Sequence, residues 1–308
     1  MISILLASYN GEKYIAEQID SLLAQKNRDF KLFINDDKST DNTYEIISEY
    51  AEKYPEMIFA TQNEQNSGGA KCNFIRMMIE HKDDYVMLCD QDDIWLPDKI
   101  EISLAKIKEM ETIHGMETPL LVHTDLHVVN ETLKMISPSY KIAMNADYSK
   151  TRLRNQIIQN TLTGCTVIYN RALSNLVTEI PQFMVMHDWW LMLIAAAFGK
   201  VAALDEQTVL YRQHGSNDIG AKDVRTLRYK INKLMHSKEV KKAISDTYLQ
   251  AQSFINIFRG TLTSEQQELL TKYCDIPNHI KPIRWFSIYH LGTLKNGISR
   301  KIAHFIYI

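Results

Sequence analysis

Within the first 93 residues, short apolar runs alternate with amphipathic stretches, and each run but one stops at a cluster of polar side chains. Ile2–Ala7 ends at Ser8-Tyr9-Asn10-Gly11, Phe30–Asn35 ends at Asp36-Asp37, and Tyr85–Cys89 ends at Asp90-Gln91-Asp92-Asp93. Runs this short and this apolar read as buried parallel strands rather than membrane spans. Met57–Thr61 supplies a further strand of the same kind. Between them, residues 12–26 place Tyr14, Ile15, Ile19, Leu22 and Leu23 at helical spacing, and Thr43, Ile46, Ile47 and Tyr50 share one face of a second helix. Asn66-Ser67-Gly68-Gly69 opens a third loop-to-helix step. The order βαβαβαβ predicts an α/β fold with a twisted, mostly parallel sheet and helices on both faces. Such sheets bind ligands beyond the carboxyl ends of their strands, where these polar clusters fall.

Further strands are expected at Leu120–Thr124, Thr166–Tyr169 and Val201–Ala203, interleaved with helices, and from Arg225 onward the pattern is helical. The 308 residues suit one large domain or a domain with an appendage, and no disulfide or structural metal is needed to hold a core of that size. Cys72, Cys89, Cys165 and Cys274 form no CxxC pair and read as reduced thiols of a cytoplasmic protein. Met1-Ile2-Ser3 has no basic leader, and no apolar run approaches the roughly 18 residues that cross a bilayer, so a soluble or peripheral protein is expected.

Net charge is unevenly spread. Residues 222–308 hold 15 Lys+Arg against 6 Asp+Glu, whereas residues 1–221 hold 20 against 31. The split predicts a catalytic region over 1–221 and a basic, mainly helical region over 222–308 that faces something anionic. Residues 225–244 set Leu227, Ile231 and Leu234 against Lys and Arg, and residues 281–308 mix Trp285, Phe286, Tyr289, Phe305 and Tyr307 with Lys281, Arg284, Lys295, Arg300 and Lys301. Interfacial helices carry this mixture, so a membrane surface fits, as does a packed appendage with a solvated basic face. Nucleic acid fits poorly, because no binding module is visible and the larger region is acidic.

The chemistry concentrates at the strand ends. Asp90 and Asp92 stand one residue apart, and two such carboxylates can approach one divalent cation and the phosphates attached to it; Mg²⁺ and Mn²⁺ prefer oxygen ligands. A solvated acidic turn is the bland alternative for a triplet of this kind. Ser39 and Asp41 read as caps of the next helix. Asp36 and Asp37 are adjacent carboxylates that repel each other, and one of them could accept hydrogen bonds from a base N–H or ribose hydroxyls.

Taken in order, Leu5-Leu6-Ala7-Ser8-Tyr9-Asn10-Gly11 with Tyr14-Ile15, Asp36-Asp37-x-Ser39-x-Asp41-x-Thr43 and Asp90-Gln91-Asp92-Asp93-x-Trp95-x-Pro97 resemble the family 2 glycosyltransferases of the GT-A (Rossmann-like) fold over roughly residues 1–220. Asn66-x-Gly68-Gly69 with Asn73-Phe74, the Asp90-Gln91-Asp92-Asp93 form, and Tyr211-Arg212-Gln213-His214-Gly215-x-Asn217 are most similar to bacterial rhamnosyltransferases of surface polysaccharide assembly. The resemblance implies that Ala7, Tyr9 and Asp37 line the nucleotide pocket with Asp36 in support, and that Asp90, Gln91 and Arg212 serve the donor. It implies that Asp92 and His214 hold Mg²⁺ or Mn²⁺, and that Asp188 of His187-Asp188-Trp189-Trp190 is the base of an inverting reaction. Gly164, Trp189 and Trp190 would border the acceptor, although packing accounts equally well for the glycine and both tryptophans.

An acceptor hydroxyl is a poor nucleophile, so a carboxylate must take its proton as the bond to the sugar forms, while a cation offsets the charge of the departing diphosphate. Rhamnose from dTDP-rhamnose is the donor implied, with a UDP-hexose as the alternative, and the acceptor is a saccharide or polyprenyl-linked sugar. Many family members have Glu-Asp where this chain has His187-Asp188. The Gln-x-x-Arg-Trp motif of processive synthases is missing, which favours single transfer. A sugar-nucleotide pyrophosphorylase would need a glycine-rich basic loop where Ser8-Tyr9-Asn10-Gly11-Glu12 stands. A non-catalytic nucleotide-sugar-binding protein is the remaining reading, and the presence of Asp90, Asp92, Asp188 and His214 together argues against it.

Overall fold

A computed structural model describes residues 1–215 and 237–308. Asn217, Leu227, Ile231 and Leu234 lie outside the described residues. The chain forms two compact units. The first comprises Met1–Tyr140, Leu162–Ile180 and Phe198–Gly220, and the second comprises Lys141–Thr161, Pro181–Ala197 and Ala221–Ile308.

The first unit is built on strands β1 (Ile2–Ser8), β2 (Phe30–Asp36), β3 (Ile58–Gln62), β4 (Tyr85–Cys89), β5 (Ile94–Trp95), β6 (Leu120–Asn130), β7 (Met135–Ser137), β8 (Val167–Asn170) and β9 (Lys200–Gln213). They form one sheet in the order β3-β2-β1-β4-β8-β6-β9-β5, with β7 on β6. Every residue of β1 is buried, as its unbroken apolar run requires, and it pairs in parallel with β2 and β4. Helices α1 (Ile15–Leu23), α2 (Thr43–Lys53) and α3 (Ala70–Glu80) make the crossovers, and α4 (Lys99–His114) follows β5. Ile15, Ile19 and Leu22 of α1 are buried, as the spacing predicts. This is the GT-A type of α/β sheet that the motifs imply.

Strands β2 and β3 extend the sheet on one side of β1, and the chain then returns to lay β4 on the other. The loops after β1 and β4 therefore part at the point where the strand order reverses, which opens a crevice between them.

Two strands run longer than the sequence pattern suggests. β6 continues to Asn130 and β9 to Gln213, paired in parallel. Polar residues hide this continuation in the sequence, and they are satisfied by one another. Thr124 and Thr208 share a hydroxyl hydrogen bond of 2.6 Å, and the Asp125 carboxylate accepts from Ser139 Oγ and Gln207 Nε2. Buried polar groups that pair in this way cost little.

The second unit is helical. It contains α5 (His187–Phe198) up to Ala197, α6 (Ser237–Phe258), α7 (Ser264–Asp275), α8 (Lys281–Leu291) and α9 (Ile298–Tyr307). Trp190 packs edge-on against Phe254 at 5.4 Å, and Thr247 Oγ1 lies 2.7 Å from Tyr273 Oη. Thr263 and Gln266 form a capping box at the start of α7. No described helix is long and apolar enough to cross a membrane.

Candidate active site

A cleft of about 410 Å³ lies at the carboxyl ends of β1 and β4. Ala7, Ser8 and Tyr9 form one wall and Asp90, Gln91 and Asp92 the other, with Asp37 closing the side towards β2. Six of the residues assigned to the donor or its metal from sequence thus meet in one crevice. Asn66, Asn73 and Tyr211 line it too. The sequence marks all three only as parts of motifs, because a local pattern does not say which way a polar side chain faces.

The two walls are joined by one side chain. Gln91 Oε1 accepts from Tyr9 N at 2.9 Å, and Gln91 Nε2 donates to Tyr9 O at 3.0 Å. The amide therefore pairs with the Tyr9 backbone as a neighbouring strand would. Gly11 permits this, because a Cβ there would stand 2.3 Å from Gln91 Oε1.

Asp36 and Asp37 avoid the repulsion expected of adjacent carboxylates by turning to separate sets of donors. Buried Asp36 accepts from Ser8 Oγ, Ser39 N, Ser39 Oγ and Gln62 Nε2. Asp37 accepts from Asn63 Nδ2 at 2.7 Å, Ser67 N at 2.7 Å and Ser67 Oγ at 2.8 Å. Two consecutive glycines let the loop reach it: Gly68 and Gly69 adopt φ of 96° and 112°, in the region that strains any other residue.

Ser39 does not cap α2 as expected, whereas Asp41 does so in part, its Oδ1 accepting from Thr43 N at 3.1 Å. The residue before α2 is Asn42, whose side chain makes no capping bond. Ser39 Oγ instead accepts from Asn10 N at 2.8 Å, Asp41 accepts from Glu12 N at 3.2 Å, and Thr43 Oγ1 accepts from Gly11 N at 2.7 Å. The loop after β1 has amides without strand partners, so the hydroxyls and carboxylate after β2 satisfy them. Much of the Asp36–Thr43 motif is thus a cradle for the Ser8–Glu12 loop.

The carboxyl end of β9 brings the last group. Ile94 pairs with Leu210 and Trp95 with Val209, which lays Arg212 to His214 beside the loop after β4. His214 Nε2 lies 2.7 Å from Asp92 Oδ2. Arg212 is buried and donates Nε to Asp92 O and Nη1 to Glu131 O, both at 2.9 Å, with Nη2 on the Glu17 carboxylate. Its backbone N–H donates to Asp93 Oδ1 at 3.0 Å. The guanidinium also stands 4.6 Å over the Tyr14 ring, which lies 4.8 Å from His214. Arg212 thus grips the Asp92 loop by its backbone.

Among the described residues, two sets of side chains could hold a cation. Asp90, Asp93 and Cys165 place ligand atoms within 4.8 Å of one another. Burial, reinforced by nearby carboxylates, pushes the Asp93 carboxyl and the Cys165 thiol well above their ordinary ranges, so both favour the neutral form. A thiol is also the wrong ligand for Mg²⁺. Asp92 with His214 offers a carboxylate at the cleft wall and an imidazole in contact with it, which fits the group the motifs imply.

Asp188, Trp189 and Trp190 lie on α5 in the second unit, and Gly164 lies in the first, buried at the start of a single 3-10 turn, Gly164–Thr166. Asp188 is buried, and its Oδ1 accepts from Trp189 N at 2.5 Å. Trp189 is half-buried with Nε1 donating to Gln156 O at 2.6 Å, whereas Trp190 is 1% exposed and belongs to the core. Burial drives the His187 imidazole down to about 3, so it is neutral at physiological pH.

The glycosyl transferase family 2 model matches residues 3–173, more than half of the chain. The chain belongs to this family. Within it, the chain is 30% identical to the dTDP-rhamnosyl transferase RfbG of Shigella flexneri over 268 residues, covering 82% of this chain and 86% of that one. Its fold resembles S. aureus TarS 1–349 in complex with UDP-GlcNAc, with a TM-score of 0.56 at 18% identity over 95% of this chain and 87% of that one. It also resembles the mannosyltransferase PcManGT of Pyrobaculum calidifontis in complex with GDP-Man and Mn²⁺, with a TM-score of 0.53 at 13% identity over 95% and 85%. This family 2 glycosyltransferase therefore carries its strand-end carboxylates where the fold opens its crevice.

Proposed function

We propose that this glycosyltransferase is an inverting enzyme that moves rhamnose from dTDP-rhamnose to a hydroxyl of a saccharide or polyprenyl-linked acceptor in cell-surface polysaccharide synthesis. The observation that carries the reading is the crevice between Ala7–Tyr9 and Asp90–Asp92 with His214 set against Asp92. The 30% identity to a dTDP-rhamnosyl transferase supports the sugar. A UDP-hexose is the second reading, since TarS, of like fold, is seen with UDP-GlcNAc.

In this reading Ala7, Tyr9 and Asp37 receive the nucleotide, with Asp36 and Gln91 fixing the loops that present them. Asp90 serves the ribose and donor sugar. Asp92 and His214 would hold Mg²⁺ or Mn²⁺, which supplies positive charge against the departing diphosphate. Asp188 takes the acceptor proton as the acceptor oxygen bonds to C1 and the bond from C1 to the diphosphate oxygen breaks. Gly164 and Trp189 are the residues this reading assigns to the acceptor, and Trp190 belongs to the core of the second unit. A lipid-linked acceptor would bring the protein to the inner face of the cell membrane, where the basic carboxyl-terminal region suits an anionic surface.

Thermal stabilisation by nucleotide diphosphate sugars, each with Mn²⁺, Mg²⁺ or EDTA, tests this on wild type and Asp92→Ala. A ligand at a hundredfold excess over its Kd stabilises by about 2.7 kcal/mol. A shift with dTDP-rhamnose that needs metal and is lost in Asp92→Ala is expected. A shift with UDP-hexoses alone would move the second reading forward, and no shift with any donor in folded, metal-supplied protein would sink the donor site.

A further inference from the structure

The second unit holds a cavity of about 470 Å³ between α6, α8 and α9 that sugar transfer does not use. Lys241 and Tyr248 of α6, Lys281 and Arg284 of α8 and Tyr307 of α9 line it, and among the described residues no Asp or Glu does. Nearby carboxylates are engaged elsewhere: Asp246 pairs with Lys242, and Asp275 with His279. Arg284 is fixed by donating to His279 O at 2.6 Å and Pro277 O at 2.8 Å. The Tyr248 hydroxyl is buried and has no hydrogen-bond partner among the described residues. A buried O–H without an acceptor is costly, so this wall lacks a group that would satisfy it.

The surface beside the cavity is as unusual. Residues 276–308 contain Lys281, Arg284, Lys295, Arg300 and Lys301 and no acidic side chain. α8 leaves Ile283, Phe286 and Tyr289 in water at three-residue spacing, with Phe286 68% exposed. α9 leaves Ile298, Ile302 and Ile306 in water at four-residue spacing, with Ile298 79% exposed. Trp285 Nε1 donates to Phe305 O at 2.7 Å and ties the two helices together. Ile306 belongs both to the apolar stripe of α9 and to the cavity wall.

We propose that the α8–α9 face docks on an anionic membrane and that the Lys241–Lys281–Arg284 cavity receives a lipid phosphate, with Tyr248 donating its free O–H to a phosphate oxygen. Aliphatic and aromatic side chains beside cations are what an interfacial helix presents to headgroups and acyl chains. Charge selects this occupant over the others. A second copy would set two wholly basic faces against each other, and a nucleic acid would leave the isoleucine and aromatic stripes in water. The inference deepens the membrane-linked reading of the carboxyl-terminal region and is independent of which sugar the enzyme transfers.

The test is co-sedimentation of the full chain with vesicles of phosphatidylcholine alone or mixed with phosphatidylglycerol. Binding to the mixed vesicles only, weakened by salt, is expected. Lys281→Glu and Arg284→Glu should each weaken it by about fivefold or more, the scale of one cation at an anionic surface. Ile302→Asp should weaken it as well, and Tyr248→Phe, which keeps the packing, should do so to a lesser degree. Equal binding to neutral vesicles would overturn the proposal, as would variants that bind like wild type. So would self-association through Phe286 without vesicle binding, or stabilisation by inorganic phosphate in a protein that ignores vesicles. Donor-dependent stabilisation, measured on the same variants, should be unchanged. If it is missing in wild type, the donor reading fails while the vesicle result stands.

Discussion

Gly11 and Gln91 are fitted so closely that a methyl group on the glycine would stand 2.3 Å from Gln91 Oε1. That oxygen is not at liberty to swing away, because it accepts from Tyr9 N while the same amide donates to Tyr9 O. Gly11→Ala should therefore unclamp the two walls of the donor cleft. Donor affinity is expected to fall by about tenfold, on the scale of one or two lost hydrogen bonds. Gln91→Ala should cost a similar amount, and the double variant less than the sum, because the alanine methyl then has room. A double-mutant cycle read by donor-induced stabilisation checks the coupling. Strict additivity would mean that Gly11 acts independently of the Gln91 clamp.

Arg212 separates two roles that the motif alone does not. Its guanidinium holds Asp92 O, Glu131 O and the Glu17 carboxylate, all groups of the protein itself. A lysine has a single charged tip and cannot serve three directions. Arg212→Lys is expected to lower stability by about 3 kcal/mol, as for other buried charge networks broken on one side. It should also weaken metal-dependent donor binding through the displaced Asp92 loop. Chemical denaturation with and without donor measures both. A variant of unchanged stability that has lost only donor affinity would restore direct donor contact as its role.

The parts of this molecule legible in the sequence are those set by local periodicity. The strand ends and the clustering of Ala7, Tyr9, Asp37, Asp90, Gln91 and Asp92 follow from apolar runs that stop at polar residues, since one end of a parallel sheet collects them all. Ser39 is harder to read, because a hydroxyl before a helix looks like a cap whether it serves its own helix or a loop 29 residues away, and Asp41 serves both. The far halves of β6 and β9 were illegible for a related reason. Asp125, Gln207 and Thr208 look like loop residues until their pairing across the strands is known. The Tyr248 cavity needed the three-dimensional packing of α6, α8 and α9, which no spacing encodes.

His214 and Asp92 approach to 2.7 Å through ring nitrogen and carboxylate. If the pair holds the cation, EDTA should abolish transfer, and His214→Ala should lower kcat by about 10²-fold or more, since the metal supplies several kcal/mol of charge stabilisation. Raising the Mn²⁺ concentration should recover part of that activity, because the lost ligand weakens binding of the ion. Titration of activity against metal in wild type and variant measures this. Equal metal requirements in the two proteins would remove His214 from the site.

Acid should destabilise the second unit through two histidines that the site does not use. Burial pushes His187 down to about 3, and burial, aided by the charge of Lys295, does the same to His304. In the unfolded chain both return to about 6.5. Above that pH both states are neutral and folding is unaffected. Between about 6.5 and 3 the unfolded state binds protons that the folded state refuses, so stability falls as the pH falls, by up to about 1.4 kcal/mol per pH unit for each histidine. Melting curves for wild type and His304→Gln between pH 7 and about pH 4.5 check the sign. The variant should lose stability less steeply below about pH 6, whatever its starting value. Parallel slopes would mean that His304 can be protonated without leaving its place between the helices.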